Sequence, residues 1–303
     1  MLSLANEART LFEQAGDDRA MMEAYLALAD VERMRCQSDA EVSAIEQAVQ
    51  YARHVGDAYR ERELLERLGF VQLVGPTPVE QALQWLDEHE PEFERHAGYV
   101  RPMLEAMLGR FDLARALLAA SFERMAEFGI RHGGERSASW FVETLAGDHI
   151  AAESEARRGN ELLEEIGEVG MRSTIACLLA QSLYVLGRDR EAEEWVAAGE
   201  RLSASDDTTT QLLVRWVRAK LLARRGEHPA GERLAHEAVA VAEQTDLLND
   251  RGDTFSDLAE VLLLAGRRED AARELEKALA LYEQKGNLVS AGRTRERLAE
   301  LRA

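Results

Sequence analysis

Apolar and polar residues follow one another along this chain with the 3.6-residue period of amphipathic helices. In the first fifteen residues Leu4, Ala8, Leu11 and Phe12 make one apolar stripe at that spacing. Such stripes return throughout the chain, and glycines end them. Aligning LGRFDLARALL, AGDHIAAESEA, LGRDREAEEWV, RGEHPAGERLA and AGRREDAAREL puts Gly109, Gly147, Gly187, Gly226 and Gly266 in one column, with spacings of 38, 40, 39 and 40 residues. Five residues after each glycine stands a small residue: Ala114, Ala152, Ala192, Gly231 and Ala271. Twelve residues after it stands another: Ser121, Gly159, Gly199, Ala238 and Ala278. A second marker runs out of phase with the first and closes the longer helix of each unit, at Asp17, Asp57, Ile130, Glu168, Asp246 and Asn287.

These columns predict a repeated helix pair. A glycine ends the first helix because it enters the left-handed conformation freely. A second helix follows after a short turn, with acidic residues near its start, where the helix dipole favours negative charge. Its small residues let the partner helix approach closely. A single hairpin cannot bury its own apolar face, so the units must stack. The pattern predicts a lone second helix over 1–15, pairs at about 17–55, 57–90, 99–128, 131–166, 171–202, 208–244 and 250–285, and a last helix at 287–301. The expected architecture is all-α: a right-handed α-solenoid of antiparallel helix pairs with a period near 40, forming one superhelical domain over 1–303. Within it, 1–68 is regular but starts mid-repeat, 103–286 is regular, and 287–303 is a capping helix. The stretch 69–102 breaks the pattern. It holds Pro76, Pro78, Pro91 and Pro102, four of the five prolines, and a shorter or bent unit is expected there.

Composition agrees. The chain is 46% hydrophobic and 6% aromatic, and its scarce proline leaves long helices uninterrupted. A net charge of −19 repels phosphate and argues against nucleic acid as a direct partner. Lysine occurs only at Lys220, Lys277 and Lys285. The two cysteines, Cys36 and Cys177, form no disulfide framework, and Cys177 lies in the apolar run STIACLLA, as a small core residue would. No segment approaches the roughly 20 apolar residues that span a bilayer, and the N-terminus lacks the basic start and apolar stretch of a signal peptide. The expectation is a cytoplasmic protein away from membranes.

The segment DTFSDLAEVLLLAGRREDAARELEKALALYEQKG, residues 253–286, resembles the tetratricopeptide repeat. Phe255, Leu258, Ala259 and Leu262 fall on that family's first-helix positions, and Gly266, Ala271, Leu275 and Ala278 on its turn and second helix. Leu179, Ala180, Leu183 and Ala192 match in the unit of Gly187. Elsewhere the chain departs: Trp140 replaces a small residue, and Arg215 and Arg218 replace apolar ones. The period exceeds the usual 34 and enters the range of HEAT and armadillo repeats, the alternative fold. The last 160 residues or so also resemble the C-terminal helical region of bacterial signalling proteins in which nucleotide cyclase and ATPase domains precede the repeats. The resemblance implies a place in a signalling or transcription-regulating system. It brings no chemistry, since no GxxxxGK[ST] loop occurs.

A search for chemistry gives no catalytic residue, no cofactor and no metal. There is no HExxH or GxSxG. His89 and His96 with Glu90, Glu92 or Glu94 are the nearest metal-ligand grouping, read more simply as a charged loop. His132-Gly133-Gly134 reads as a turn. The interaction surface carries more information. In a tetratricopeptide superhelix the first helices line the concave groove, which places Phe141, Cys177, Gln181, Tyr184, Trp216, Lys220, Ser256 and Glu260 there. Trp216 and Lys220, four apart, share a helix face and form a candidate peptide anchor; the alternative packs Trp216 between repeats. Arg172, Arg215 and Arg218 either line the groove or pair with neighbouring glutamates. The functional expectation is a non-catalytic scaffold for a protein or peptide, with a small-ligand or peptide sensor as the alternative. The apolar stripe on 1–15 either packs inward or docks on a further element, whether upstream domains of a longer chain or a second copy.

Overall fold

The computed structural model describes residues 2–89, 98–127 and 135–303. These residues form sixteen helices and no strand. In order they are α1 (Leu2–Ala15), α2 (Asp18–Met34), α3 (Ser38–Val55), α4 (Ala58–Val74), α5 (Val79–His89), α6 (Val100–Met107), α7 (Phe111–Glu127), α8 (Arg136–Ala146), α9 (His149–Glu165), α10 (Gly170–Val185), α11 (Asp189–Leu202), α12 (Thr208–Arg224), α13 (His228–Ala242), α14 (Leu248–Leu264), α15 (Arg268–Lys285) and α16 (Leu288–Arg302). Each even-numbered helix from α2 to α14 pairs with the next. First helices also touch the first helices of the next unit, α10 on α12 and α12 on α14. This is the expected all-α stack of helix pairs. The proline-bearing stretch holds the two short helices α5 and α6, with Pro78 just before the first and Pro102 inside the first turn of the second. Pro91, His96, Glu90, Glu92, Glu94 and the His132-Gly133-Gly134 turn lie outside the described residues.

Local chemistry explains the periodicity. Gly109, Gly147, Gly187, Gly226 and Gly266 all have φ between 74° and 84°. In the first full unit Cys36 takes the same role at φ 54°, the one non-glycine with positive φ among the described residues. Asp17, Asp57, Asp207 and Asn287 open first helices by accepting the backbone N–H three residues on. The small-residue columns lie at the tightest contacts. Ala114, Ala152, Ala192, Ala271 and Ala278 are 0% exposed. A methyl group added at Gly231 would lie 2.7 Å from the Ala219 carbonyl oxygen, and one at Gly199 would lie 2.9 Å from that of Ser173.

The stack curves far enough to meet itself. Beyond the contacts between successive helices, the corners of the last units dock on the turns of the first, along a seam. The Asp246 carboxylate accepts the backbone N–H groups of Ser38 and Asp39 at 2.8 and 2.9 Å, at the start of α3. The Asp246 N–H in turn donates to the Cys36 carbonyl. The Lys285 ammonium donates to the carbonyls of Gln72, Gly75 and Thr77, at 3.0, 2.8 and 2.7 Å, where α4 ends. Arg293 on α16 reaches the carbonyls of Thr144 and Leu145 at the end of α8. Val289 packs into the apolar core of the N-terminal half. At the opposite end, α1 buries Ala5 but leaves Leu4 and Leu11 more than 60% exposed.

The close approach of α10 and α11 gives a direct test. Gly199→Ala should lower stability by about 1–3 kcal/mol through overpacking, measured by thermal or urea unfolding. Ala265→Gly, at the half-buried C-terminal end of α14, should cost less.

Candidate functional site on the concave face

Phe141, Gln181, Lys220 and Glu260 each stand six residues before a turn glycine, so they share one register on α8, α10, α12 and α14. The direction of curvature follows from a single bond. The Tyr184 hydroxyl of α10 donates to Glu260 of α14 at 2.6 Å, reaching past α12. Helices two units apart approach only on the inner side of a curved stack, so this register faces the concave surface.

The structure brings Tyr184, Lys220 and Glu260 together, and the sequence had not shown their partners. Lys220 is 3% exposed. Its ammonium bonds the Asp257 carboxylate at 2.8 Å and lies 5.1 Å from the centre of the Tyr184 ring. The Arg224 guanidinium stacks on the same ring, 3.6 Å from its centre. Burial pulls the Lys220 pKa down, but Asp257, Glu260 and Asp253 outweigh it and hold the amine above its usual range. The Tyr184 hydroxyl is pushed far up, first by burial and then by Glu260. Lys220 and Tyr184 are therefore a charged and a neutral member of one fixed network.

On α14, Asp250, Asp253, Asp257 and Glu260 recur at helical spacing and all are half-buried. Burial raises Asp250 to about 6 and, against the hydrogen bond from Tyr282, raises Asp253 to about 7. The Tyr282 hydroxyl donates to Asp253 at 2.6 Å. The segment DRGDTFSDLAE carries this acidic stripe as an i, i+3, i+7, i+10 pattern. Two acceptors are enclosed without any hydrogen-bond partner: Oε1 of Gln181 and Oδ2 of Asp257. Phe141, half-buried, edges the cores on either side.

Trp216 does not stand free as an anchor. It is 5% exposed, and its indole N–H donates to Thr254 on the next first helix at 2.9 Å. Trp140 uses the same device on Ser182 at 2.8 Å, which explains a tryptophan where a small residue was expected. Cys177 is fully buried, and burial pushes its thiol up to about 12, so it packs as core. Ser256 accepts from Arg297. The arginines turn away from the groove: Arg172 bonds Asn160 and Glu164, and Arg218 bonds Glu200, all on preceding second helices. Arg215 bonds Gln211 on its own helix. His89 stacks on Trp85 and approaches its carbonyl at 2.8 Å. Among the described residues no group of histidines, cysteines and carboxylates could hold a metal, and no helix is long and apolar enough to cross a membrane.

No family model matches the chain, and no curated protein matches it. Solved structures do. NprR in complex with its cognate peptide NprX superposes with a TM-score of 0.60 at 15% identity, covering 95% of this chain and 83% of NprR. The apo form of the quorum sensor NprR from B. thuringiensis gives 0.55 at 16% identity, covering 96% and 81%. A Rap protein complexed with Competence and Sporulation Factor gives 0.54 at 10% identity, covering 95% and 98%. These likenesses establish the tetratricopeptide-like repeat fold and leave the HEAT and armadillo alternative without support.

The Asp253–Tyr282 bond makes a titration test. The Asp253 carboxyl carbon should titrate near pH 7 by NMR. Tyr282→Phe should move that midpoint higher, because the lost donor stabilised the ionised form. Since folding raises this pKa, its contribution to stability is full below about pH 4 and is lost as pH rises through 7.

Proposed function

We propose that the chain is a non-catalytic, regulatory scaffold that holds a peptide or a protein segment on its concave face. The groove comprises Phe141, Gln181, Tyr184, Lys220 and Glu260, with Trp216 supporting it from beneath. One observation carries the reading. Gln181 and Asp257 each keep an enclosed acceptor oxygen without a partner, and Phe141, in the register of Gln181, is half-buried. Buried polar atoms are otherwise almost always satisfied. A bound segment supplies the missing donors through its backbone N–H groups and lays an apolar side chain on Phe141. NprR and Rap, which share the fold, are bound to NprX and to Competence and Sporulation Factor in their structures, which supports a peptide ligand. The same face suits a small ligand, the sensor variant of this reading.

In this proposal the repeats act in the cytoplasm within a bacterial signalling or transcription-regulating system, alongside cyclase or ATPase domains. The exposed Leu4 and Leu11 on α1 fit docking of a further helical element, from an upstream domain or a second copy.

Selection from a displayed peptide library, followed by calorimetry, tests the groove. Gln181→Ala and Phe141→Ala should each weaken a selected peptide by about tenfold, the cost of a lost buried hydrogen bond or contact. Arg233→Ala, on the exposed side of α13, should leave affinity unchanged. Equal binding by all three variants and wild type would place the ligand elsewhere.

A further inference from the structure

The seam puts charges on helix ends. The Asp246 carboxylate meets the N-terminus of α3, and Lys285 and Arg293 meet the carbonyl ends of α4 and α8. Each sign suits the helix dipole it meets. The three charges differ in what closing does to them. Arg293 remains exposed and Asp246 half-exposed, so both keep water when the seam is shut. Lys285 is 0% exposed. Its three N–H donors all end on carbonyls, with no carboxylate among them. Closing the seam therefore removes one amine wholly from water and gives it no counter-ion.

The surroundings confirm that isolation. From Leu68 to Val79 the chain facing Lys285 has no ionisable residue. On its own helix, Glu283 pairs with Arg295 and Tyr282 with Asp253. At the start of α3, Glu41 pairs with Arg67, and the amide of Asp39 is held by Asp246. Asn249 on α14 and Asn287, which caps α16, bond each other. Asp250 and Asp253 on α14 and Arg293 on α16 make no bond to Lys285.

We propose that the seam is a proton-gated closure with Lys285 as its pin: the two turns of the superhelix hold most firmly when the Lys285 amine is neutral, and part more readily when it carries a proton. The neutral amine keeps two of its three N–H donors for the carbonyls and avoids the cost of a buried charge. An open seam returns the amine to water, where it is fully protonated at neutral pH. Burial pushes the enclosed amine down to about 7 from 10.5. Closing is then weakest below pH 7 and strengthens as pH rises from 7 towards 10.5, by roughly tenfold per pH unit in that window. Asp250 and Asp253 titrate in the opposite sense, so the test compares proteins that differ only at Lys285. The device is independent of what the concave face binds.

Amide hydrogen exchange on the intact chain reads the seam directly. The N–H groups of Ser38, Asp39 and Asp246 have their acceptors across it, and they exchange when it opens. After correction for intrinsic rates, their protection in the wild type should be about tenfold greater at pH 8 than at pH 6. Lys285→Met should abolish that gain while amides inside α10 and α14 stay protected. Lys285→Gln, which keeps two N–H donors and cannot titrate, should behave in the same way and serves where the methionine variant does not fold. The same pH dependence in wild type and in the folded variant, or greater wild-type protection at pH 6, overturns the proposal.

Discussion

The architecture depends on the contact between one turn of the superhelix and the next. Helix ends leave backbone N–H and C=O groups without intrahelical partners, and a stack of pairs presents rows of such ends along its edges. Here side chains from the last units satisfy them: Asp246 at the start of α3, the Lys285 amine at the end of α4, and Arg293 at the end of α8. Each bond joins a helix-end group without an intrahelical partner to a side-chain donor or acceptor. They turn an open solenoid, whose units contact only neighbours, into one with fixed curvature. The curvature determines which faces of the first helices can see one another.

That curvature explains the concave network. Tyr184 can reach Glu260 because α10 and α14 converge on the inner side, and Lys220 is then enclosed between them. Most polar groups on this face serve the fold. Trp216, the most obvious anchor in the sequence, joins two first helices through Thr254. The atoms left without a partner on this face are fewer: one oxygen on Gln181 and one on Asp257.

The helices and their pairing were legible in the sequence because their causes are local. A glycine that must take positive φ, an aspartate that caps the next helix, and a small residue where two helices touch all act within one unit. Repetition made them visible. Where the rule was met by an unusual residue, as at Cys36, the turn formed without the glycine that marked the others. The candidate site was only half legible. Its register could be counted from the turn glycines, but whether each residue was free or engaged could not.

The sequence by itself determined the all-helical class, the period and the turns. These follow from backbone preference and from packing between adjacent segments. The tertiary structure alone decided that the stack meets itself, that Lys285 finds three carbonyls more than 200 residues away, and that Gln181 keeps a free acceptor while Trp216 does not. Those outcomes depend on small rotations summed over many repeats. A rotation of that kind leaves no local pattern in the chain, because each unit satisfies its own rules whatever the total curvature becomes.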